Sequence, residues 1–309
     1  MRDGLVFIGV STGGSSIMRL FPRWAELLGI DAEIVGRDIP PRGEPSALRA
    51  AVAEIAEDER LRGALVTTHK VDIYRHAQDL FADFDRNARL CREVSCIAKR
   101  DGELVGSAKD PVTAGLSLDA MISPDHWRRT GGHVLCLGAG GAGTAIAVNL
   151  LAREHPPARV AVTDADPDRL GALRQIAAEL DVRSGIACRF VSSPAESDAL
   201  LEGMPPASLI VNATGLGKDA PGSPISDRAR FPGRAVVWEL NYRGSLDFIR
   251  QARAQAVERS LEVHDGWLYF LHGWTQVIAE VFELELDAAT FARLAAAAEP
   301  FGPGSTRPA

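Results

Sequence analysis

The chain has 309 residues, 46% of them hydrophobic and 24% charged, and a net charge of −7. This is the composition of a globular protein with one large domain or two ordinary ones. The acidic balance and the lack of a basic block argue against nucleic acid as a partner. No stretch approaches the ~18 apolar residues of a membrane span. The opening MRDGLVFIGVSTGG has too short an apolar run for a signal peptide and reads as a first strand, so a cytoplasmic location is expected.

In chain order, GLVFIGVS reads as a strand and SIMRLFPRWAELLG as a helix that stops at Gly29. DAEIVGRD is a strand, PSALRAAVAEIAEDERLRG a helix, and GALVTTHK a strand ending in polar residues. VSCIAKRDGELVGSAKD predicts a hairpin, because Asp101-Gly102 suits the positive φ angles of a type I′ turn. The first section is therefore βαβαβ followed by an antiparallel pair. From near Gly131 a second series of strands follows: HVLCLG, ARVAVTD, IACRFVS, SLIVNAT and AVVWELN. Helices such as PDRLGALRQIAAEL fall between several of them, which predicts a parallel sheet covered on both faces. Two apolar helical segments, WLYFLHGWTQVIAEVFEL and DAATFARLAAAAEPF, come last, and the Pro/Gly-rich tail PFGPGSTRPA is expected to fray. Cys91, Cys96, Cys136 and Cys188 have no zinc spacing; the last three sit in apolar, strand-like surroundings and are expected to be buried, with no metal.

Between the strand HVLCLG and the helix TAIAVNLL stands Gly138-Ala139-Gly140-Gly141-Ala142-Gly143, a G-x-G-x-x-G pattern in the strand–helix context that a dinucleotide fingerprint requires. Gly138 permits the tight turn, Gly140 lets backbone approach a pyrophosphate, and Gly143 lets helix and strand pack. The helix N-terminus offers free N–H groups to the phosphates. Asp164 ends the next strand, 21 residues beyond Gly143, where a carboxylate can bind a ribose hydroxyl. It would repel the 2′-phosphate of NADP, so NAD is the expected cofactor. Thr163, Ala165, Asp166 and Asp168 add no positive charge, although Arg169 is near; Asp166 or Asp168 is expected to cap the following helix.

In the first section Lys70 and Asp110 each follow a strand. Such a pair suits proton transfer at a carbinol, although a lysine and an aspartate at loop starts are ordinarily surface charges. Six segments, in order over nearly the whole chain, resemble the shikimate dehydrogenase family. LVTTHK is similar to its N-V-T-x-P-x-K segment, and GELVGSAKD to its G-x-x-x-G-x-N-T-D segment. VLCLGAGGAGTAIAVNLL resembles its glycine loop, LIVNATGLG its N-A-T-P-x-G-M, WELNYRG its tyrosine segment, and DGWLYFLHGWTQ its D-G-x-x-M-L-x-x-Q. The resemblance implies a catalytic Lys70 paired with Asp110. It places Asn212, Thr214 and Gly217 beside the nicotinamide, and gives Tyr242, Gln276 and Thr68 to the substrate.

The departures bear on the substrate. The family's S-x-S-P becomes STGGSSIM, with Ser15 and Ser16 nearest; its A-V-N-T asparagine becomes Ser95; its N-T-D becomes Ala108-Lys109-Asp110; and the proline of the lysine motif is missing. The arginine that often selects NADP gives way to Asp164. Lys109 offers a positive charge to an anionic substrate, or is a solvated strand-end lysine. The reading is a two-domain α/β protein. Residues 1–115 form a substrate domain, 116–264 a Rossmann-type doubly wound NAD-binding domain, and 265–309 helices that return to the first domain. The expected activity is NAD-dependent alcohol/ketone oxidoreduction on a small polar, possibly cyclic, hydroxy compound other than shikimate. A genuine shikimate or quinate dehydrogenase and a non-catalytic NAD or metabolite sensor are the alternatives. The expected partner is a small molecule; a homodimer is allowed, and nucleic acid and membrane are not expected.

Overall fold

A computed structural model describes residues 2–41, 43–180, 185–218 and 220–303. The chain divides into two compact units, Met1–Lys109 with Leu271–Ala309, and Asp110–Phe270. Of the tail expected to fray, residues 304–309 lie outside the described residues.

The first unit holds β1 (Asp3–Gly9), α1 (Ser16–Leu28), β2 (Ala32–Asp38), α2 (Pro45–Glu57), β3 (Leu61–Val66), α3 (Lys70–His76), β4 (Asp83–Phe84), α4 (Arg86–Cys91), β5 (Cys96–Arg100) and β6 (Glu103–Ser107). Its sheet runs β2-β1-β3-β5-β6-β4. β1 is parallel to both neighbours, β2 and β3, which is why Leu5, Val6, Phe7 and Ile8 form an unbroken apolar run with all four side chains buried. β5 and β6 are the expected antiparallel pair, and both turn residues have positive φ, Asp101 at 51° and Gly102 at 86°. Gly29 ends α1 in the left-handed conformation at φ 70°. The sequence reading overlooked α3, β4 and α4; each is short and lacks a full period of apolar residues.

The second unit opens with α5 (Asp110–Met121) and α6 (His126–Thr130) and continues through β7 (Val134–Leu137), α7 (Gly141–Leu151), β8 (Val160–Asp164), α8 (Pro167–Glu179), β9 (Ile186–Phe190), α9 (Pro194–Glu202), β10 (Leu209–Asn212), β11 (Val236–Glu239), α10 (Asp247–Arg259) and β12 (Glu262–His264). Its sheet is parallel throughout, in the order β12-β11-β10-β7-β8-β9. Numbered from β7, that is the 3-2-1-4-5-6 order of a doubly wound dinucleotide-binding sheet, with its switch point between β7 and β10. Cys136 is buried on β7, but Cys188, expected to be buried, is only half-buried because β9 is an edge strand.

The unit boundaries differ from the expected 115/116 and 264/265. The first falls at Lys109/Asp110 because α5 packs on α7 of the second unit. Asn149 Nδ2 donates to Pro111 O at 3.1 Å and Arg153 pairs with Asp119 at 2.8 Å. The second falls at Phe270/Leu271, inside α11 (Trp267–Val281), because Tyr269 packs on Trp238 and Phe270 on Tyr242. From Leu271 onward the chain belongs to the first unit, as expected for the last helices. Trp274 meets Phe7 edge-on at 4.9 Å, and Trp24 Nε1 donates to Leu294 O of α12 (Ala288–Ala298) at 2.8 Å. Among the described residues no helix is long and apolar enough to cross a membrane.

Candidate active site and cofactor loop

The glycine loop leaves β7 at the switch point of the second sheet. Gly138 has φ 106°, and a side chain there would meet the Ala213 backbone at 2.7 Å. Gly143 is the first turn of α7, and a Cβ on it would drive into the Gly138 carbonyl oxygen. A Cβ on Gly140 would meet nothing within 4 Å. The first and third glycines are thus demanded by the fold itself. The second faces open space at a helix N-terminus, where Gly141 and Ala142 leave their amides unbonded within the helix. This is the geometry of a phosphate cradle.

Asp164 does more than the sequence reading assigned to it. Its carboxylate accepts Ala139 N at 2.7 Å and Asp166 N at 2.9 Å, so it also braces the glycine loop. Each oxygen keeps a lone pair for a ribose hydroxyl. The weight given to missing positive charge is corrected: Arg169 Nη1 lies 3.8 Å from Asp164 and its Nε 3.5 Å from Asp166. Asp166 is the α8 cap, accepting Asp168 N and Arg169 N.

Beside the glycine loop, β10 delivers Asn212 to the same edge of the sheet. Asn212 Oδ1 accepts Thr214 N at 3.1 Å and Thr214 Oγ1 at 2.7 Å; Gly215 and Gly217 then turn with φ 77° and 87°. The other face of Asn212 belongs to a residue the sequence reading overlooked. Glu239, at the end of β11 and fully buried, accepts Asn212 Nδ2 at 2.7 Å and Asn241 N at 2.8 Å. Burial pushes its carboxyl up to about 7, against the pull of these donors and of Lys218. Tyr242, expected to touch substrate, sits half-buried in an aromatic cluster with Trp267 at 5.2 Å and Phe270 at 4.8 Å.

In the first unit the sheet brings several expected residues to one edge. The loop that ends at Ser15, with Ser16 opening α1, follows β1, and the loop with Thr68 follows β3. Ser95 precedes antiparallel β5, and Lys109 follows β6, so both lie at that same end. Ser15 is the N-cap of α1, its carbonyl accepting Met18 N at 3.1 Å while its side chain makes no capping bond. Lys70 opens α3, half-buried, with its N–H directed to Thr67 O at 3.3 Å and its carbonyl accepting Val94 N at 3.0 Å. The chain passes out of this edge from Lys109 to Asp110, which is buried and carries its carboxylate in the first turn of α5, where a helix favours negative charge.

Four of the expected substrate residues stand in surroundings that the resemblance does not imply. Ser95 is buried and its Oγ accepts Lys109 N at 2.7 Å, a clip within the fold. Lys109 is no unpaired cation: its Nζ meets Glu280 at 3.0 Å, with Arg100 3.5 Å from the same carboxylate. Gln276 lines a cavity of about 330 Å³ with Lys109, Arg100 and Glu280. The glutamine of D-G-x-x-M-L-x-x-Q stands eight residues after its aspartate, and here that place is Gly273, one turn before Gln276. The threonine of the lysine motif stands four before its lysine, and here that place is Val66, buried in β3, rather than exposed Thr68.

Glu239 and His272 oppose each other in acid. His272, stacked on Phe291 at 4.1 Å and 8% exposed, is pulled by burial down to about 4 from 6.5. The unfolded chain therefore binds its proton more readily, and stability is lost as pH falls from 6.5 toward 4. Glu239 is raised from 4.5 to about 7, so its unit loses stability as pH rises through that window. Each effect is about 3 kcal/mol. In Glu239→Gln the loss on the alkaline side should vanish, and in His272→Leu the loss on the acid side. Denaturant unfolding between pH 4.5 and 7.5 reads both, and slopes unchanged by the substitutions would contradict the assignment.

No family model matches the chain. It is 27% identical to the shikimate dehydrogenase (NADP(+)) of Methylobacterium radiotolerans over 253 residues, 81% of this chain and 80% of that one. Its fold is similar to that of shikimate 5-dehydrogenase from Listeria monocytogenes in complex with shikimate and NAD, with a TM-score of 0.73, 15% identity, and 95% of this chain and 96% of that one covered. It is also similar to ligand-free 5-ketofructose reductase of Gluconobacter sp. strain CHM43, with a TM-score of 0.68, 20% identity, and 96% and 98% covered.

Proposed function

We propose, on the premise that the chain belongs to the shikimate dehydrogenase family, that it is a nicotinamide-dependent oxidoreductase interconverting a secondary alcohol and a ketone on a small polyhydroxy compound other than shikimate. The observation that carries this reading is the phosphate cradle at the switch point of a 3-2-1-4-5-6 sheet, in a chain whose other unit sets Lys70 at its sheet edge. A nicotinamide dinucleotide bound at that loop would supply the acceptor or donor of hydride. The amides at the start of α7 hold its pyrophosphate, and Asp164 takes a ribose hydroxyl. Lys70 donates to the substrate oxygen and moves a proton there as the charge develops. The resemblance implies that Asp110 is the group that orients Lys70 and compensates its charge.

Shikimate should be a poor substrate. The family asparagines are replaced by Ser95, already engaged with Lys109 N, and by Ala108, which has no polar side chain. A site that hydrogen-bonds hydroxyls discriminates strongly against mismatched partners. The named activity of one structural neighbour, 5-ketofructose reductase, supports widening the substrate beyond cyclic acids to keto sugars. Steady-state rates with shikimate, quinate, cyclic polyols and keto sugars, run in both directions, test the reading. A specificity constant for shikimate within about 10⁴–10⁸ M⁻¹s⁻¹ would make this a genuine shikimate dehydrogenase. Tight cofactor binding with no turnover of any compound would favour a sensor.

NAD should bind more tightly than NADP. A 2′-phosphate at Asp164 would meet Arg169, but Asp164 and Asp166 both lie within 4.0 Å of that guanidinium, so the local charge is net negative. The expected difference is about 1–3 kcal/mol. Titration of both cofactors decides it, and equal or tighter NADP binding would sink the preference.

A further inference from the structure

We propose that Glu239 is a positioning residue of the cofactor site: through Asn212 and Asn241 its carboxylate holds the 213–217 turn in the shape that receives the nicotinamide end. The inference rests on the oxidoreductase reading above. Its ground is a chain of hydrogen bonds, all within the second unit. The Glu239 carboxylate accepts Asn212 Nδ2 at 2.7 Å with one oxygen and Asn241 N at 2.8 Å with the other. The first bond fixes which way the Asn212 amide faces. Only with its Nδ2 toward Glu239 does Asn212 present Oδ1 to both Thr214 N and Thr214 Oγ1. The Thr214 hydroxyl oxygen in turn accepts Leu216 N at 3.2 Å. The second bond sets Asn241, whose Nδ2 reaches Leu216 O at 3.0 Å from the opposite side. The turn is closed by Ser245 N to Gly217 O at 2.7 Å. One buried carboxylate thus organises both ends of a turn that contains two glycines with positive φ and little shape of its own.

An uncharged Glu239 would keep one acceptor oxygen and turn the other into a donor. The Asn212 amide then gains from rotating its oxygen toward Glu239, which takes Oδ1 away from Thr214. The same change can be made at constant pH with the isosteric Glu239→Gln. Lys218, just after the turn, acts on Glu239, and β12, paired with β11, carries His264, itself paired with Glu262 at 2.8 Å, and is followed by Asp265, which accepts Trp267 N. The substitution removes the charge of Glu239 alone and leaves these neighbouring groups in place.

The test compares NADH with ADP-ribose, which carries the same pyrophosphate and adenosine but no nicotinamide ring. Affinities are measured by calorimetry on the whole protein at pH 8. Glu239→Gln should weaken NADH at least about tenfold, the weight of one charge-assisted hydrogen bond, and leave ADP-ribose within about twofold. In the unsubstituted protein the NADH to ADP-ribose affinity ratio should fall as pH drops from 8 to 6, and in Glu239→Gln it should stay flat. Should the variant fold poorly, Asn241→Ala, which keeps the N–H that Glu239 accepts and removes the bond to Leu216 O, should weaken NADH and spare ADP-ribose in the same way. Equal loss of both ligands, no loss of either, or a ratio independent of pH would overturn the proposal. Unsubstituted protein that binds neither ligand would overturn the oxidoreductase reading itself.

Discussion

Lys70→Ala should lower turnover about 10²–10⁴-fold and leave NAD affinity nearly unchanged, because general acid–base help at a carbinol is of that size. Hydride transfer leaves charge on the substrate oxygen, and a proton must move with it. Lys70 sits at the start of α3, fixed by backbone bonds to Thr67 and Val94 that alanine also makes. Alanine is favourable in a helix, so the substitution removes the ammonium and little else. Asp110→Asn keeps the shape of a buried side chain in the first turn of α5, removes its charge and turns one acceptor oxygen into a donor; it should cost a similar factor. The double variant should lose far less than the product of the two, since residues acting as one unit are not additive. Single-turnover kinetics on an identified substrate reads all three. Full turnover in Lys70→Ala would remove the proposed mechanism, and simple multiplication of the two losses would mean that the residues work independently.

What could be read in the sequence was whatever is encoded over a few neighbouring residues. The alternation of strand and helix, the Gly29 stop, the Asp101-Gly102 turn and the 138–143 loop each carry a local backbone requirement, and the structure has all four. What could not be read depends on partners distant in sequence. Glu239 looks like an ordinary strand-end carboxylate in VVWELN; only the parallel pairing of β10 with β11 puts Asn212 beside it. Lys109 reads as a spare cation until α11, about 170 residues later, brings Glu280 against it. The expected boundary at 115/116 cuts through α5, whose neighbour, α7, lies beyond the next strand. At two places the spacing departs from the family's. On a helix a shift of three residues moves Gln276 a full turn from the place of its counterpart, and after a strand a shift of two exchanges buried Val66 for exposed Thr68.

Two single-methyl substitutions in the glycine loop should separate what the fold requires from what the cofactor requires. In Gly143→Ala the new methyl points at the Gly138 carbonyl oxygen, with Ala213 Cβ 3.5 Å away behind it. Gly138 has little room to retreat: its N–H is held by Thr163 O at 2.8 Å, and the Ala213 backbone stands 2.7 Å from where a Cβ on it would be. The start of α7 must therefore lift, carrying the amides of residues 140–142 off the phosphate position. Overpacking of this kind costs about 1–3 kcal/mol. Stability should fall by that amount, and NAD affinity by about a hundredfold. Gly140→Ala should behave differently. Gly140 has φ −70°, which any residue adopts, and its methyl would enter empty space. Stability should stay level or rise slightly, because alanine restricts the unfolded chain. Yet the empty space is where the proposed pyrophosphate lies, so NAD affinity should still fall at least tenfold, about 1.4 kcal/mol. Thermal unfolding and NAD titration of the two variants give the answer. Loss of affinity without loss of stability in Gly140→Ala marks a site built for a ligand. If Gly140→Ala bound NAD as tightly as the unsubstituted protein, the loop would be only a tight strand–helix connection, and the proposed cofactor site would have to be abandoned.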